Sequence, residues 1–371
     1  MGAMEAAADE ADTASPVRVA YTLEQCWHPT PGGTAVAALR IARELAARAD
    51  VELHQVAGRH PVAPIPEFRP EGSVAMLPLA RPLLYESWNR LNWPKVEAVT
   101  GEIDVAHATG LVPCGTGAPL VVTVHDLAFL HDPGQFSRQG VRVMERSLAA
   151  IRRRADRVIC SSRSTMRDAV AAGIDGDKLR HVPLGVDIVA VTPEETARVR
   201  RRYLLPDEFV LFVGTLEPRK NLARLAEAMR RRRSRQTLVV AGAEGWGDVG
   251  DLGGADIVFL GFVPADDLAA LYAASTVFAY PSEREGFGLP VAEAMAQGVA
   301  VVTSSGTSTE EVAGDAGVLV DPFDVDDIAR GIDEAFDRRA ELAAGARDRA
   351  AELSWRSSAD ATVAVYRELV P

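Results

Sequence analysis

Cysteine and long apolar runs are scarce in this sequence. Cys26, Cys114 and Cys160 are the only cysteines among the 371 residues, and none has a partner at C-x-x-C spacing, which excludes a disulfide framework and a structural zinc site. No apolar run approaches the ~18 residues of a membrane-spanning helix. The opening residues, 1–14, are acidic and rich in alanine, unlike a signal peptide. We therefore predict a protein of the cytoplasm.

An excess of positive charge is also missing. The chain has 52 acidic and 40 basic residues and a formal net charge of −12, whereas nucleic-acid binders need clustered basic charge. The charge is uneven, with 20 basic and 18 acidic residues from Pro16 to Asp187 and 20 basic and 30 acidic residues from Ile188 onward. A near-neutral half is followed by a strongly acidic half, and nucleic acid is excluded as the main partner.

The hydrophobic pattern predicts an α/β fold of two doubly wound units. From Val17 onward, short β-branched runs alternate with longer Ala/Leu/Arg segments of helical period, which is typical of a parallel sheet covered by helices on both faces. The alternation begins again at Phe209. We predict a disordered acidic leader at 1–16, a first unit at 17–187, a linker at 188–206 and a second unit at 207–354. Ligands of such sheets bind at the carboxyl ends of the strands, so we expect a site in the cleft between the units.

The most specific motif follows the predicted strand Val277–Tyr280. It reads Glu285-Gly286-Phe287-Gly288-Leu289-Pro290 and is followed by a second acid, Glu293. Proline is favoured at the start of a helix, and the exposed N–H groups there, with the two glycines, predict a pocket for anionic or hydroxyl oxygens. Two carboxylates at this spacing suit the hydroxyl groups of one polyol ligand. The alternative is that both acids only cap or solvate the helix.

A second motif, Gly214-Thr215-Leu216-Glu217-Pro218-Arg219-Lys220, joins the strand Phe209–Val213 to a helix. Lysine is rare in the chain, since Lys95, Lys178 and Lys220 stand against 37 arginines. Two cations at a helix N-terminus are unfavourable for the helix dipole. An anion bound there would explain them, with Arg219 chelating it and Lys220 acting as a point charge. A solvated pair in a loop is the alternative.

Two further segments follow predicted strands of the first unit. Gly32 and Gly33 open a helix after the first strand, but a plain tight turn explains them equally well, and a third glycine at dinucleotide spacing is missing. His125 and Asp126 end the strand Leu120–Val124, where a ligand of an α/β unit would contact them. His107, at the end of an earlier strand, is a weaker candidate for the same cleft.

Glu285 and Glu293, separated by seven residues around Gly-Phe-Gly-Leu-Pro, resemble the E-x7-E motif of retaining nucleotide-sugar glycosyltransferases of family four. The resemblance implies the GT-B architecture of two Rossmann-like domains facing across a cleft. It implies that Glu285 binds the donor sugar and that Glu293 binds the ribose. It also implies that Arg219 and Lys220 hold the diphosphate. One departure is Thr215, which stands where many members have an additional arginine.

The resemblance runs from about Val17 to the C-terminus. Leu260–Pro264 resembles the loop beneath the nucleotide base, which implies a donor contact for Val263, and the final helix, 355–371, resembles the segment that crosses back to the first domain. Core packing explains Phe262 and Trp355 equally well. The implied role of His125 is a contact with the donor sugar. The other implied donor-binding residues are Gly32, Gly33, Asp126, Gly214, Thr215, Gly286, Phe287, Gly288 and Leu289.

The resemblance implies transfer of a hexose from a nucleoside diphosphate sugar with retention, and without a metal or cofactor. The wording Gly-Thr-Leu-Glu-Pro-Arg-Lys-Asn most resembles mannosyltransferases that build surface polysaccharides, which favours GDP-mannose and a glycan or lipid-linked acceptor. The alternatives are a UDP-sugar transferase acting on a small-molecule acceptor, a hydrolysing sugar-nucleotide epimerase of the same architecture, and a non-catalytic sugar-nucleotide-binding protein. The arginines of the first half suggest peripheral contact with the inner face of a membrane.

Overall fold

Two parallel β-sheets, each covered by helices, make up the protein in the computed structural model, which describes residues 15–28, 31–243, 245, 250 and 252–370. This confirms the predicted α/β class and its two doubly wound units. The acidic leader predicted for residues 1–16 lies outside the described residues, except for its last two positions.

The first sheet has seven parallel strands in the order β3-β2-β1-β4-β5-β6-β7. The order reverses between β1 and β4, so chain segments leave these two neighbours in opposite directions and open a crevice at their carboxyl ends. The strands are β1 (Val17–Thr22), β2 (Val51–Ala57), β3 (Val74–Met76), β4 (Val105–Ala108), β5 (Leu120–Val124), β6 (Arg157–Cys160) and β7 (Leu179–His181).

The second sheet has six parallel strands in the order β10-β9-β8-β11-β12-β13. Its order reverses between β8 and β11, which pair with each other in the register Val210 to Val277 and Leu211 to Phe278. The strands are β8 (Phe209–Val213), β9 (Thr237–Ala241), β10 (Ile257–Gly261), β11 (Val277–Tyr280), β12 (Ala300–Ser304) and β13 (Gly317–Val320). The central strands β8, β9, β11 and β12 are buried along nearly their whole length, as their β-branched and aromatic residues predict.

Helices cover both faces of each sheet. They are α1 (Gly33–Ala46), α2 (Arg81–Leu91), α3 (Glu97–Thr100), α4 (Ala128–His131), α5 (Arg138–Arg154), α6 (Arg163–Ala171), α7 (Pro193–Arg202), α8 (Leu222–Arg231), α9 (Ala265–Ala274), α10 (Leu289–Ala296), α11 (Ser308–Ala313), α12 (Val325–Asp337), α13 (Arg339–Glu352) and α14 (Trp355–Arg367). None of the helices in these described ranges is both long and apolar enough to cross a bilayer.

Part of the predicted linker is helical. Helix α7 occupies Pro193–Arg202 within the stretch 188–206, because Thr192 and Glu195 form a capping box: Thr192 accepts from the Glu195 N–H, and the Glu195 carboxylate accepts from the Thr192 N–H. The helix packs against α9 of the second unit. The helical pattern of this segment is hard to recognise in the sequence because its apolar face is narrow and most of its residues are charged.

The chain crosses between the units twice at one place. Leu184 to Val186 run beside Leu353 to Trp355, and the Val186 N–H donates to the Leu353 carbonyl at 3.0 Å. Helix α14 then packs on α1 of the first unit. A Cβ atom on Gly185 would lie 2.2 Å from the Trp355 nitrogen, so only glycine fits where the two crossings meet.

We expect Gly185→Ala to destabilise the protein by about 2 kcal/mol, and so to lower Tm by roughly 4 °C, because the two crossing segments must separate. Gly176→Ala is the matched control, since no atom lies within 4 Å of the place that a Cβ on Gly176 would take. Differential scanning fluorimetry of both variants measures the difference. Equal Tm values would contradict the close approach.

Candidate active site

The two most specific motifs lie together at the switch point of the second sheet. The Gly214–Lys220 segment follows β8, and the loop 281–288, called the glycine loop below, follows β11. Since β8 and β11 are neighbours at the reversal of strand order, their loops flank one crevice. The sequence motifs thus converge because of topology, although some 60 residues separate them.

The Glu285 carboxylate is the centre of a buried cluster. Its Oε1 atom lies 3.0 Å from Arg219 Nη1 and 3.4 Å from Lys220 Nζ. The Tyr280 hydroxyl donates to the same oxygen at 2.9 Å, and Ser282 Oγ lies 3.0 Å from it. Only 11% of the Glu285 side chain is exposed, so this oxygen is served by four protein groups rather than by water.

The surroundings of Glu285 keep it ionised. Burial alone would raise the pKa of this carboxyl, but the charges of Arg219 and Lys220 and the bonds from Tyr280 and Ser282 outweigh burial and lower the pKa to about 2. At neutral pH Glu285 is therefore a fixed negative charge and hydrogen-bond acceptor, and a weak base.

A second buried acid orients Arg219. Glu217 accepts from Arg219 Nε at 2.9 Å, and the Thr215 hydroxyl also donates to Glu217. Arg219 Nη1 reaches the Arg284 carbonyl at 3.0 Å. Burial would lower the pKa of Arg219, but Glu285 and Glu217 raise it above its ordinary value. Two carboxylates of the protein itself, Glu217 and Glu285, thus hold Arg219 in place.

Lys220 has fewer ionic contacts than Arg219, since it pairs with Glu285 alone. It is buried, and its Nζ donates to the Tyr280 hydroxyl at 2.5 Å. Its stem runs against Gly214, whose added Cβ would lie 3.1 Å from Lys220 Cδ, and Gly214 has a φ of 158°. The absence of a side chain at Gly214 leaves room for the lysine to extend toward the crevice.

The glycine loop turns directly into α10. Gly288 caps this helix with a φ of 106°, and an added Cβ would lie 2.7 Å from the Thr309 side chain, so glycine is required both for conformation and for space. Phe287 is buried and Leu289 begins the helix. The Leu289 N–H and the positive end of the helix dipole thus lie at the crevice, where anions are stabilised. Pro290 has no N–H, and those of Val291 and Ala292 donate to the Gly288 carbonyl.

Glu293 lies on α10, apart from the Glu285 cluster. Its Oε2 atom accepts a hydrogen bond from the Tyr272 hydroxyl of α9 at 2.9 Å. Burial raises the pKa of Glu293, the Tyr272 bond opposes this, and the charge of Asp187 adds to the rise. Unlike Glu285, this carboxyl has no neighbouring cation among the described residues that lowers its pKa.

The backbone of the first unit closely approaches the glycine loop and the start of α10. An added Cβ on Gly286 would lie 2.1 Å from the His125 carbonyl oxygen, and one on Gly33 would lie 3.2 Å from the Leu289 side chain. Gly32 faces open space. The structure thus brings Gly33, His125, Gly286 and Leu289 together across the cleft.

His125 and Asp126 are both fixed by local bonds. His125 Nε2 lies 3.2 Å from the Thr109 carbonyl, which can only accept, so this nitrogen carries the proton. Burial lowers the pKa of His125, so the ring is neutral at pH 7 and Nδ1 is an acceptor. Asp126 accepts from the N–H of Ala128, the first residue of the short helix α4, at 3.1 Å.

Other predicted positions lie outside this constellation. His107, the weaker histidine candidate, is fully buried between the sheet and α14, 2.6 Å from the Tyr366 hydroxyl and 2.7 Å from Thr123 Oγ1, and it does not face the cleft. Val263 is buried, whereas Phe262 is 64% exposed. Trp355 is buried in the core at the start of α14.

Several residues of the site are not evident from the sequence. Tyr280 and Tyr272 fix the two glutamates, and Glu217 orients Arg219. Glu217 lies inside the Gly214–Lys220 motif, and the neighbouring cations Arg219 and Lys220 could have indicated that it forms an ion pair. The tyrosines give no such signal, since aromatic residues in a strand or helix usually belong to the core. Within the described ranges, no group of three or more His, Cys, Asp and Glu side chains is arranged to hold a metal ion.

Two family models match the chain, one for each unit. Residues 31–190 match the Glycosyltransferase Family 4 model, and residues 195–352 match the model of Glycosyl transferases group 1. The boundary between the matches falls at the start of α7.

Proteins of similar sequence and a solved structure agree with the two family models. O-antigen chain mannosyltransferase B of Escherichia coli is 35% identical over 267 residues, which are 67% of this chain and 70% of that protein. Serotype-specific mannosyltransferase WbdA of Escherichia coli is 32% identical over 244 residues, which are 58% of this chain and 29% of that protein. The crystal structure of Anabaena HepE in complex with UDP and glucose has a TM-score of 0.71 at 20% identity, covering 95% of this chain and 100% of that chain, which shows a shared GT-B fold.

We expect Arg219→Gln to raise the pKa of Glu285 and to lower Tm at pH 7, because the buried carboxylate loses its main neutralising charge. In the wild type the folded-state pKa of about 2 lies below the unfolded one, so the stability that Glu285 adds is present above the unfolded pKa and is lost as pH falls toward 2. The variant should therefore show a shallower fall of Tm between about pH 5 and pH 2.

Arg224→Gln is the matched control, because Arg224 pairs with the less buried Glu283 in the same region. Thermal unfolding at a series of pH values measures both slopes. If Tm falls as steeply between pH 5 and pH 2 in Arg219→Gln as in the wild type, the cluster as described is contradicted.

Proposed function

The chain belongs to glycosyltransferase family 4, and from that premise we propose that it transfers a mannosyl residue, with retention, from GDP-mannose to a hydroxyl of a glycan or lipid-linked acceptor. The observation that carries the proposal is the buried cluster of Glu285, Arg219 and Lys220 beside the N-terminus of α10. It combines a sugar-binding carboxylate with groups that stabilise a departing diphosphate.

Lys220 and the backbone N–H of Leu289, at the start of α10, are the proposed diphosphate-binding groups. Lys220 is buried and is hydrogen-bonded to a neutral tyrosine, with Glu285 3.4 Å away, so its charge is only partly neutralised. Arg219 is bound more tightly to Glu217 and Glu285. We assign Arg219 the holding of Glu285 in position, and Lys220 the direct contact with phosphate oxygens.

The two glutamates take different parts of the donor. Glu285, ionised and fixed, accepts hydrogen bonds from hydroxyls of the donor sugar. Glu293, on the next turns of α10, accepts from the ribose. His125 contributes its unprotonated Nδ1 as an acceptor for a sugar hydroxyl, because its Nε2 proton is directed to the Thr109 carbonyl.

The proposed chemistry is a displacement on one face of the sugar. The bond from the anomeric carbon to the phosphate oxygen breaks, and a bond to the acceptor oxygen forms on the same face. The acceptor proton passes to the departing phosphate. A carboxyl with a pKa of about 2 is too weak a base to take that proton, which supports the phosphate in this role. Stabilisation of the leaving group by Lys220, the Leu289 N–H and the α10 dipole supplies the catalysis without a metal.

GDP-mannose is supported by the names of the relatives. Both Escherichia coli proteins are mannosyltransferases, and the sequence Gly214–Asn221 resembles the corresponding motif of mannosyltransferases. The alternative is a UDP-sugar acting with a small-molecule acceptor, since HepE, which shares the fold, has been seen with UDP and glucose.

Peripheral contact with an anionic membrane is proposed for the first unit, through helices α2 and α5. Leu83, Leu91 and Trp93 are 66%, 72% and 54% exposed. Exposed arginines lie on the same pair of helices, Arg90 on α2 and Arg142 on α5, which the Arg146–Glu86 ion pair joins. Apolar side chains beside cations are the combination that binds anionic bilayers.

The donor is tested with a panel of nucleotide sugars, an α-mannoside acceptor and EDTA. We expect release of GDP from GDP-mannose together with an α-linked product. Glu285→Gln should lower transfer about 100-fold and leave the Kd for GDP nearly unchanged. Lys220→Met should weaken both transfer and GDP binding, because it removes the phosphate contact.

Lys95→Met, at an exposed lysine of the first unit, is the control and should behave as the wild type. Turnover of UDP-glucose alone would contradict the donor assignment. Full activity of both site variants would contradict the site. Nucleotide binding without release of nucleoside diphosphate would favour a non-catalytic protein, and conversion of the sugar nucleotide by water alone would favour an epimerase.

Membrane contact is tested by flotation with vesicles containing anionic lipid at low salt. The wild type should float with the vesicles, and Leu83→Asp/Leu91→Asp should not, because the change adds two negative charges to the proposed contact. Leu204→Asp, at an 87% exposed leucine beyond α7, is the matched control. A wild type that stays in solution refutes the contact.

A further inference from the structure

Helix α6 of the first unit reaches across the cleft to the glycine loop. Ser161, just before the helix, donates to the Gly286 carbonyl at 3.1 Å, and the Thr165 hydroxyl lies 3.3 Å from the same oxygen. Both hydroxyl residues are almost completely buried. Two buried side chains of one unit thus converge on a single backbone oxygen of the other.

The same place is a close approach of the two backbones. Thr165 Oγ1 also lies 3.1 Å from the His125 carbonyl, which is the atom that excludes any side chain at Gly286. Thr165 therefore sits between the first-unit strand end that presents His125 and the loop that presents Glu285.

Helix α11 of the second unit completes the contact from the other side. Glu311 accepts from the N–H groups of Arg163 and Ser164 at 2.8 and 2.7 Å, so a carboxylate of one unit caps the first turn of a helix of the other. Ser308, on the same helix, donates to the Glu285 carbonyl at 2.7 Å. Two successive carbonyls of the loop are consequently held, that of Glu285 by Ser308 from its own unit and that of Gly286 by Ser161 and Thr165 from the opposite one.

We propose that Ser161 and Thr165 are positioning residues that orient the glycine loop only when the two units are closed on each other. When the units separate, the Gly286 carbonyl loses its hydrogen bond from Ser161 and its contact with Thr165, which also reaches the His125 carbonyl, and α6 loses its cap from Glu311. The Glu285 side chain then loses part of its fixed orientation. Closure of the cleft and assembly of the sugar-binding groups become one event.

This inference rests on the proposed role of the glycine loop in binding the donor sugar, and it predicts a split between binding and turnover. Lys220 and Glu293, proposed to bind the nucleotide, belong to the second unit alone, so nucleotide affinity does not need α6. The transfer step does need it, because the loop must be oriented and water excluded.

The test is the double variant Ser161→Ala/Thr165→Val, which removes both hydroxyl groups with little change of shape. We expect kcat for transfer to fall about tenfold, with the Kd for GDP within about twofold of the wild type. Hydrolysis of the donor by water should rise relative to transfer. The single variant Thr165→Ser keeps Ser161 and a hydroxyl at position 165. It should have most of the wild-type kcat, which a purely space-filling role of Thr165 would not predict.

Thr362→Val is the matched control, since Thr362 is equally buried and donates within α14 to the Ser358 carbonyl, away from the cleft. If the double variant does not fold, Glu311→Gln tests the same contact from the second unit and should show the same split between kcat and GDP affinity.

Closure itself is measured by hydrogen exchange at the amides of Arg163 and Ser164, which needs neither donor nor acceptor. Exchange there should be faster in the double variant than in the wild type and unchanged in Thr362→Val. Unchanged exchange and an unchanged ratio of hydrolysis to transfer would overturn the inference. A wild type that transfers no sugar but shows the exchange difference would instead refute the proposed function and leave the closure contact standing.

Discussion

The ion pairing of the Glu285 carboxylate with Arg219 and Lys220 is the interaction on which the rest of the site depends. A carboxylate with only 11% of its side chain exposed is costly unless cations and hydrogen bonds compensate it. Here Arg219, Lys220, Tyr280 and Ser282 all reach one oxygen. Because the same network fixes both cations, removing any one charged member leaves the others as uncompensated buried charges. The site is therefore rigid where it has most charge.

The glycines of the site are explained by different constraints. Gly288 needs its left-handed backbone, with a φ of 106°, whereas Gly286 needs the absence of a side chain, because the His125 carbonyl of the other unit occupies that space. A local turn motif thus encodes a contact between domains. The close approach also explains why hydroxyl groups of α6 can reach the loop at all, since any bulkier residue at 286 would separate the units.

Much of this architecture could be predicted from the sequence. The strands named beside the motifs, β5, β8 and β11, have the predicted bounds, because fully buried parallel strands leave continuous β-branched runs. The two motifs were also expected at the carboxyl ends of strands, where the structure has them. The missed elements have weak local patterns: α7 is mostly charged, and β7 has only three residues. The partners of the site could not be predicted, since Tyr280, Tyr272, Thr165 and Glu311 act through spatial neighbours that lie 5 to more than 100 positions away in the sequence.

The charged cluster of the site is formally neutral, whereas the second half of the chain is strongly acidic. The second half carries 30 acidic and 20 basic residues, yet two of those acids, Glu217 and Glu285, pair with Arg219, and Glu285 also lies 3.4 Å from Lys220. Within the cluster the formal charges cancel, so long-range attraction cannot be what brings a diphosphate to this crevice. Binding must come from groups in direct contact, which are the Leu289 N–H at the start of α10 and the ammonium of Lys220. A compact ammonium suits this place better than a guanidinium, because its three donors can serve Tyr280, Glu285 and an incoming oxygen from one position in the narrow space beside Gly214. The rare lysine is then explained by the confined space as well as by its charge.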